Sequence, residues 1–150
     1  MDILTDTNLL VGSIHREEDT NHESVRALRA LQVRGDRICV VPQNLYELWA
    51  VATRPLANNG LGLTPAQVHH VVVRIENLYT LLLDPPELYN AWRQLVVSYG
   101  VSGKKAHDAR LVAAMAVHGI TQILTYNADD FTRYAGINVI RPASFDARIS

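Results

Sequence analysis

The chain has 150 residues, 48% hydrophobic and 19% charged, which excludes an intrinsically disordered segment and suits one compact α/β domain over residues 1–150. A formal net charge of −1 excludes wholesale electrostatic attraction to nucleic acid, so local basic clusters would have to make any such contact. The lone Cys39 excludes an internal disulfide and reads as a small buried apolar residue, and no apolar run approaches the roughly 20 residues of a membrane span. The N-terminus has polar residues from Asp2 onward and no basic stretch of the kind that opens a signal peptide, so the expected location is the cytoplasm.

Short apolar runs alternate with amphipathic segments from end to end. Residues 1–5 predict a buried strand, after which Asp6-Thr7-Asn8 opens a helix at Leu9. Thr20-Asn21-His22-Glu23 has the pattern of a capping box, and Val25, Leu28 and Leu31 follow it at helical spacing. Gly35-Asp36 ends that helix, residues 37–41 predict a second strand, and Pro42 suits the first turn of a helix running to about Arg54. Residues 58–63, containing two glycines, predict a loop. Thr64-Pro65-Ala66-Gln67 is another capping box, backed by an apolar stripe of Val68, Val71, Val72, Ile75 and Leu78. A strand is predicted over 79–83. Leu88, Ala91, Trp92, Leu95, Val96 and Tyr99 then keep helical spacing, and Gly100 closes the helix. A polar loop leads to a helix over 106–118 closed by Gly119, a strand over 120–125, a short helix over 127–135 closed by Gly136, and a last strand over 137–140.

Strands separated by helices imply right-handed crossovers and a parallel sheet covered on both faces. Ligands of such sheets bind beyond the carboxyl ends of the strands. Asp6 stands at the first such position, although aspartate also serves there simply as a helix cap. Asp108 and the Asp129-Asp130 doublet fall in first turns, where the helix dipole favours a carboxylate in any case. Glu47 shares a helical strip with Gln43, Asn44, Ala50 and Arg54, which is either a solvated stripe or the wall of a cleft. Read together, these acids converge on one cleft, where mutual repulsion forces a proton onto one of them unless a cation intervenes. All-oxygen ligation selects magnesium or manganese over zinc, and no histidine and cysteine group has zinc spacing. His69-His70 point in different directions from one helix and read as surface residues.

In these motifs the sequence resembles the PIN domain family, and in particular the VapC-type ribonuclease toxins of type II toxin–antitoxin pairs. The matching residues are Leu4-Thr5-Asp6-Thr7-Asn8, Leu45-Tyr46-Glu47-Leu48, His107-Asp108-Ala109 and Thr125-Tyr126-Asn127-Ala128-Asp129-Asp130-Phe131. They keep the family's order over essentially the whole chain. The resemblance implies a three-layer sandwich around a five-stranded parallel sheet, and an endoribonuclease dependent on Mg2+ or Mn2+ that leaves 5′-phosphate and 3′-hydroxyl ends. It also implies a cognate antitoxin occupying the cleft, and a homodimer. Carried over residue by residue, it makes Asp6, Glu47, Asp108 and Asp130 the catalytic and metal-binding acids. Asp130 is preferred to Asp129 because it directly precedes Phe131. Thr7, Asn8, Thr125 and Asn127 match polar positions that support the acids, and His107 reads as packing at a helix start.

For the mechanism, the expectation is that Asp6 and Asp108 hold the metal while Glu47 and Asp130 complete the site or act through water. Lys104, Lys105 and Arg110 stand beside Asp108 and are the candidate RNA-phosphate contacts, with Arg54 a lesser one. Trp49, Trp92 and Phe131 fall at core spacing. Two rivals stay open: a PIN-type RNA-processing nuclease outside any toxin pair, and a non-catalytic binding module whose acids are caps. A phosphotransfer enzyme ranks below both, since Asp2 and Asp6 do not have the Asp-x-Asp spacing of haloacid-dehalogenase phosphatases.

Overall fold

The computed structural model describes residues 1–15 and 22–145. The strands are β1 (Asp2–Thr5), β2 (Arg37–Val40), β3 (Thr80–Leu81), β4 (Gln122–Leu124) and β5 (Asn138–Ile140). They form one five-stranded sheet, all parallel, in the order β3-β2-β1-β4-β5. Burial on both faces explains why the inner strands read as continuous apolar runs. Successive side chains alternate between faces, so Ile3, Ile38 and Leu124 join one core cluster while Leu4, Cys39 and Ile123 join another across the sheet. Cys39 is fully buried and free, as its apolar surroundings suggested.

Six α-helices cover the sheet: α1 (Thr7–His15), α2 (Glu23–Val33), α3 (Pro42–Thr53), α4 (Pro65–Leu78), α5 (Leu88–Ser98) and α6 (Lys105–His118). The helices α5 and α6 pack on the face that holds Leu4 and Ile123, and α1 to α4 cover the other. The box ahead of α4 forms as expected: the Thr64 hydroxyl accepts from Gln67 N–H at 3.2 Å and Gln67 Oε1 accepts from Thr64 N–H at 2.8 Å. Thr20 and Asn21 of the earlier box lie outside the described residues, and the described cap of α2 is His22, whose Nδ1 accepts from Ser24 N–H at 3.3 Å. No helix among the described residues is long and apolar enough to cross a membrane.

Three expectations need correction. The helix predicted over 127–135 is only a 3-10 turn, Ala128–Asp130. Its continuation is diverted by α5: the Tyr99 hydroxyl takes the Ala135 N–H at 3.0 Å, and Arg133 reaches the Tyr99 carbonyl at 2.6 Å. Phe131 and Tyr134 are instead buried against α6. The first helix starts at Thr7, not Leu9, because the Asp6 carbonyl already accepts Leu9 N–H. Trp49 lies on the outer side of α3 and is 38% exposed, since Leu48 and Ala52 take the inward positions.

Candidate active site

The strand order places the chain reversal between β1 and β4, so the segments leaving these two strands run side by side. Asp6 is the first residue beyond β1, and its N–H donates to the Leu124 carbonyl at 2.9 Å. One carboxylate oxygen, Oδ1, accepts Thr7 N–H at 2.8 Å, and the other, Oδ2, accepts the Thr125 hydroxyl at 2.7 Å. Thr125 in turn accepts Asn127 N–H at 2.9 Å, which fixes the turn leading to Asp130. From the other side of β1, α3 brings Glu47, whose Oε1 accepts the Thr7 hydroxyl at 3.1 Å. Asp108 comes from the first turn of α6. Four separate segments thus deliver four acids to the carboxyl edge of the sheet.

The electrostatics register this convergence. Burial holds the Asp6 carboxyl above the usual aspartate range, and the Asp130 charge adds to the effect against the opposing hydrogen bonds from Thr125 and Thr7. Burial also raises Glu47, with Asp6 adding to it and the Thr7 hydroxyl partly offsetting it. Asp108 is pushed up to about 6, by burial first and then by the charges of Asp130, Asp6 and Glu47. Asp130 acts on both Asp6 and Asp108, whereas Asp129 is exposed, so the second acid of the doublet is the one that joins the cluster.

Two residues set this geometry that the sequence reading grouped with Glu47 but did not assign to the site. Asn44 is fully buried: its Oδ1 accepts Val41 N–H at 2.8 Å, and its Nδ2 donates to the Thr5 carbonyl and the Thr7 hydroxyl, both at 3.2 Å. It therefore ties the start of α3 to the end of β1 and orients the threonine that holds Glu47. Gln43 donates to the His107 carbonyl at 2.8 Å and accepts from Arg110 at 3.0 Å, joining α3 to the first turn of α6. Their signal in the sequence was position: amides three and four residues before Glu47 share its helix face.

Of the expected supporting residues, Thr7 and Thr125 bond the acids through their hydroxyls. The Asn127 side chain is exposed and its contribution is through the backbone. Among the described residues Asn8 bonds no acid, and its Oδ1 is buried without a hydrogen-bond partner. His107 is exposed and lines a cavity beside Ala106. Arg110 is held by Gln43 and by Asp84 at 2.9 Å. Lys104 and Lys105 are exposed and form no ion pair among the described residues, and Arg54 is likewise exposed, beyond the C-terminus of α3.

Among the described residues, no group of three or more His, Cys, Asp or Glu side chains is placed so that it could hold a metal ion by itself. The donor set nevertheless suits a hard divalent ion, since the carboxylates of Asp130, Asp6 and Glu47 all act on Asp108 as like charges that a cation would offset. Magnesium keeps several waters and is held through one or two carboxylates, so it needs no closed protein cage.

Fold and acids together define an α/β protein with a carboxylate centre at the edge of a parallel sheet. The PIN domain family model matches residues 3–137, and the chain belongs to that family. Solved structures share the fold at low identity. The VapBC2 complex from Rickettsia felis bound to promoter DNA has a TM-score of 0.70 and 14% identity, covering 94% of this chain and 98% of that one. DNA-bound VapBC from Salmonella typhimurium gives 0.68 and 18%, covering 95% and 98%. VapC20 from Mycobacterium tuberculosis, a toxin that cleaves the sarcin-ricin loop, gives 0.55 and 15%, covering 81% and 86%. No curated protein sequence is significantly similar to this chain.

Proposed function

We propose that this PIN-domain protein is a divalent-metal-dependent endoribonuclease and the toxin of a toxin–antitoxin pair, acting on RNA in the cytoplasm. The observation that carries the reading is the four-acid cluster, in which burial first and then the charges of Asp130, Asp6 and Glu47 raise Asp108 to about 6. Such a cluster weakens the ion-free protein and is stabilised by a cation. Asp6 and Asp108 are the residues that would hold magnesium or manganese, with Glu47 and Asp130 completing the site through water. The bound ion supplies a lowered water pKa and a positive clamp on the phosphate oxygens.

The side chains do the rest. Asp6 is fixed at both oxygens, so its orientation is set before substrate arrives. Glu47 is held through Oε1 by Thr7 and would take the proton of the attacking water. Lys104 and Lys105 contact the RNA backbone, whereas Arg110, engaged by Gln43 and Asp84, shapes the site wall.

The VapBC complexes that share the fold support an antitoxin partner. An apolar groove between α1, α2 and α4, with a volume of about 240 Å³ and walls of Ile14, Val25, Leu28, Ile75 and Leu78, is its candidate seat. Tyr46 and Trp49, exposed on α3, offer an apolar face for the homodimer.

Purified protein should cleave RNA when supplied with magnesium or manganese, and Asp6→Ala should abolish cleavage. Equal cleavage by the variant removes the assignment. Expression without a partner should arrest growth, and Asp108→Ala should relieve the arrest. Normal growth of cells holding active enzyme separates the nuclease from the toxin role.

A further inference from the structure

A cavity of about 520 Å³ opens beside the acid cluster, within the roughly 300–1,000 Å³ range of small-ligand clefts. Its walls come from the segment before α5, from α5 itself and from the first turn of α6. They include Pro85, Leu88, Tyr89, Trp92, His107 and Arg110. His107 directly precedes Asp108, and Gln43, one turn before Glu47, bonds both the His107 carbonyl and Arg110, so two walls of the cavity are joined to the elements that carry these acids.

The chemistry of the walls is specific. Tyr89 is 62% exposed, and its ring lies 6.1 Å from that of Trp92 at an interplanar angle of 36°. The Trp92 indole N–H donates to the Ala106 carbonyl at 2.8 Å, so the indole is fixed in place and presents ring surface without a free donor. The Arg93 guanidinium lies 5.9 Å from the Tyr89 ring centroid. On the opposite rim, Arg110 is locked by Gln43 and Asp84, and Gln43 also grips the His107 carbonyl. Along the chain, the lining residues are neighboured by the acids Glu87, Asp84 (paired with Arg110) and Asp108 and by the cations Arg93, Lys104 and Lys105. An apolar, aromatic cleft with cations around it, opening next to a carboxylate centre, matches a flat π-system attached to a phosphate backbone.

We propose that this cavity is a nucleobase subsite: the base of a nucleotide flanking the scissile phosphate stacks on Tyr89 and Trp92, while Lys104 and Lys105 hold its backbone and His107 faces its edge. The inference rests on the ribonuclease reading for the identity of the chain that enters. It goes beyond that reading by assigning α5 a role in substrate recognition. Stacking tolerates any base, so the subsite contributes affinity first and modest base preference second.

The test uses full-length protein carrying Asp6→Asn, which keeps RNA intact, and two labelled oligoribonucleotides of about eight nucleotides, one of uridine and one abasic, with equal phosphate charge. Anisotropy should show the uridine oligomer binding about tenfold more tightly, and Tyr89→Ala should remove the difference while Tyr89→Phe keeps it. Tyr89 is largely exposed, so its truncation leaves the core intact. Persistence of the difference in Tyr89→Ala, or its absence from the parent protein, overturns the proposal.

Cleavage by otherwise wild-type enzyme separates the two ideas. Active enzyme whose KM is unmoved by Tyr89→Ala sinks the subsite and leaves the nuclease standing. Inactive enzyme that still discriminates through Tyr89 sinks the nuclease and leaves the base pocket. Conversion of a dimer to a monomer by Tyr89→Ala in sedimentation assigns this face to a second copy of the chain and also overturns the proposal.

Discussion

Asp108→Asn separates electrostatic strain from packing in a single substitution. The Asp108 carboxyl is raised from an ordinary 3.8 to about 6 by burial and three neighbouring acids. Because the folded value lies above the unfolded one, the folded state holds the extra proton between them. That stabilising effect is full below about pH 4 and is lost as pH rises through about 6. A shift of about two units corresponds to about 3 kcal/mol, and partial solvent access reduces the net effect to about 1–2 kcal/mol. The neutral amide escapes this loss. In metal-free buffer near pH 7.5, Asp108→Asn should therefore melt roughly 2–8 °C above the wild type, and the two should converge as pH falls towards about 4. Magnesium should reverse the order, because ligand binding to the folded wild type contributes about 2.7 kcal/mol at a hundredfold excess over Kd and the variant lacks one carboxylate. Scanning calorimetry across pH, with and without magnesium, reads both effects. A variant that melts below the wild type at neutral pH, or that gains as much from magnesium, refutes the reasoning.

Thr125→Val keeps the volume but removes the hydroxyl that lowers the Asp6 pKa, so Asp6 should rise further. The acid limb of the pH–rate profile should then move to higher pH, and kcat should fall about tenfold or more, the scale of one hydrogen bond to a charge. Gly60→Ala would place a Cβ atom 2.0 Å from the Arg54 backbone carbonyl oxygen, with no flexible atom available to yield. It should destabilise by about 1–3 kcal/mol in denaturant titrations while leaving low-temperature activity intact. The double variant Lys104→Ala and Lys105→Ala should raise KM for RNA several-fold, leave kcat unchanged, and flatten the salt dependence of binding by about one to two units of slope.

Much of the fold is legible in the chain because two strong signals agree. Continuous apolar runs mark β1, β2 and β4, which are buried on both faces, and 3.6-residue periodicity marks α4, behind its capping box, and α5. The signal weakens where burial is one-sided. The strand expected over 79–83 shrinks to Thr80–Leu81 because β3 is an edge with one neighbour, leaving Leu83 69% exposed. The lost helix after Thr125 is a tertiary effect: Tyr99, 36 residues before Ala135, captures the Ala135 N–H that a helix would have used. Local pattern carries no record of that competition.

The acids of the candidate site were legible for a different reason. Asp6, Asp108 and Asp130 each stand at a strand or helix boundary, where topology alone directs them to the carboxyl edge of the sheet. The side chains that aim them were less visible, because Asn44 and Gln43 look like ordinary polar residues in the first turn of α3. Their importance is in what they join. Asn44 spans from Val41 to Thr5 and Thr7, and Gln43 spans from α3 to His107 and Arg110. Glu47 is thereby tied to Asp6 through Thr7, and its helix is tied to the Asp108 turn through Gln43. A cluster of like charges persists only where the surrounding structure determines it strongly, and these two amides supply that restraint without adding charge. The burial and the like charges that raise Asp108 are thus held in place by neutral hydrogen bonds, which is the condition for a site that a divalent ion can relax.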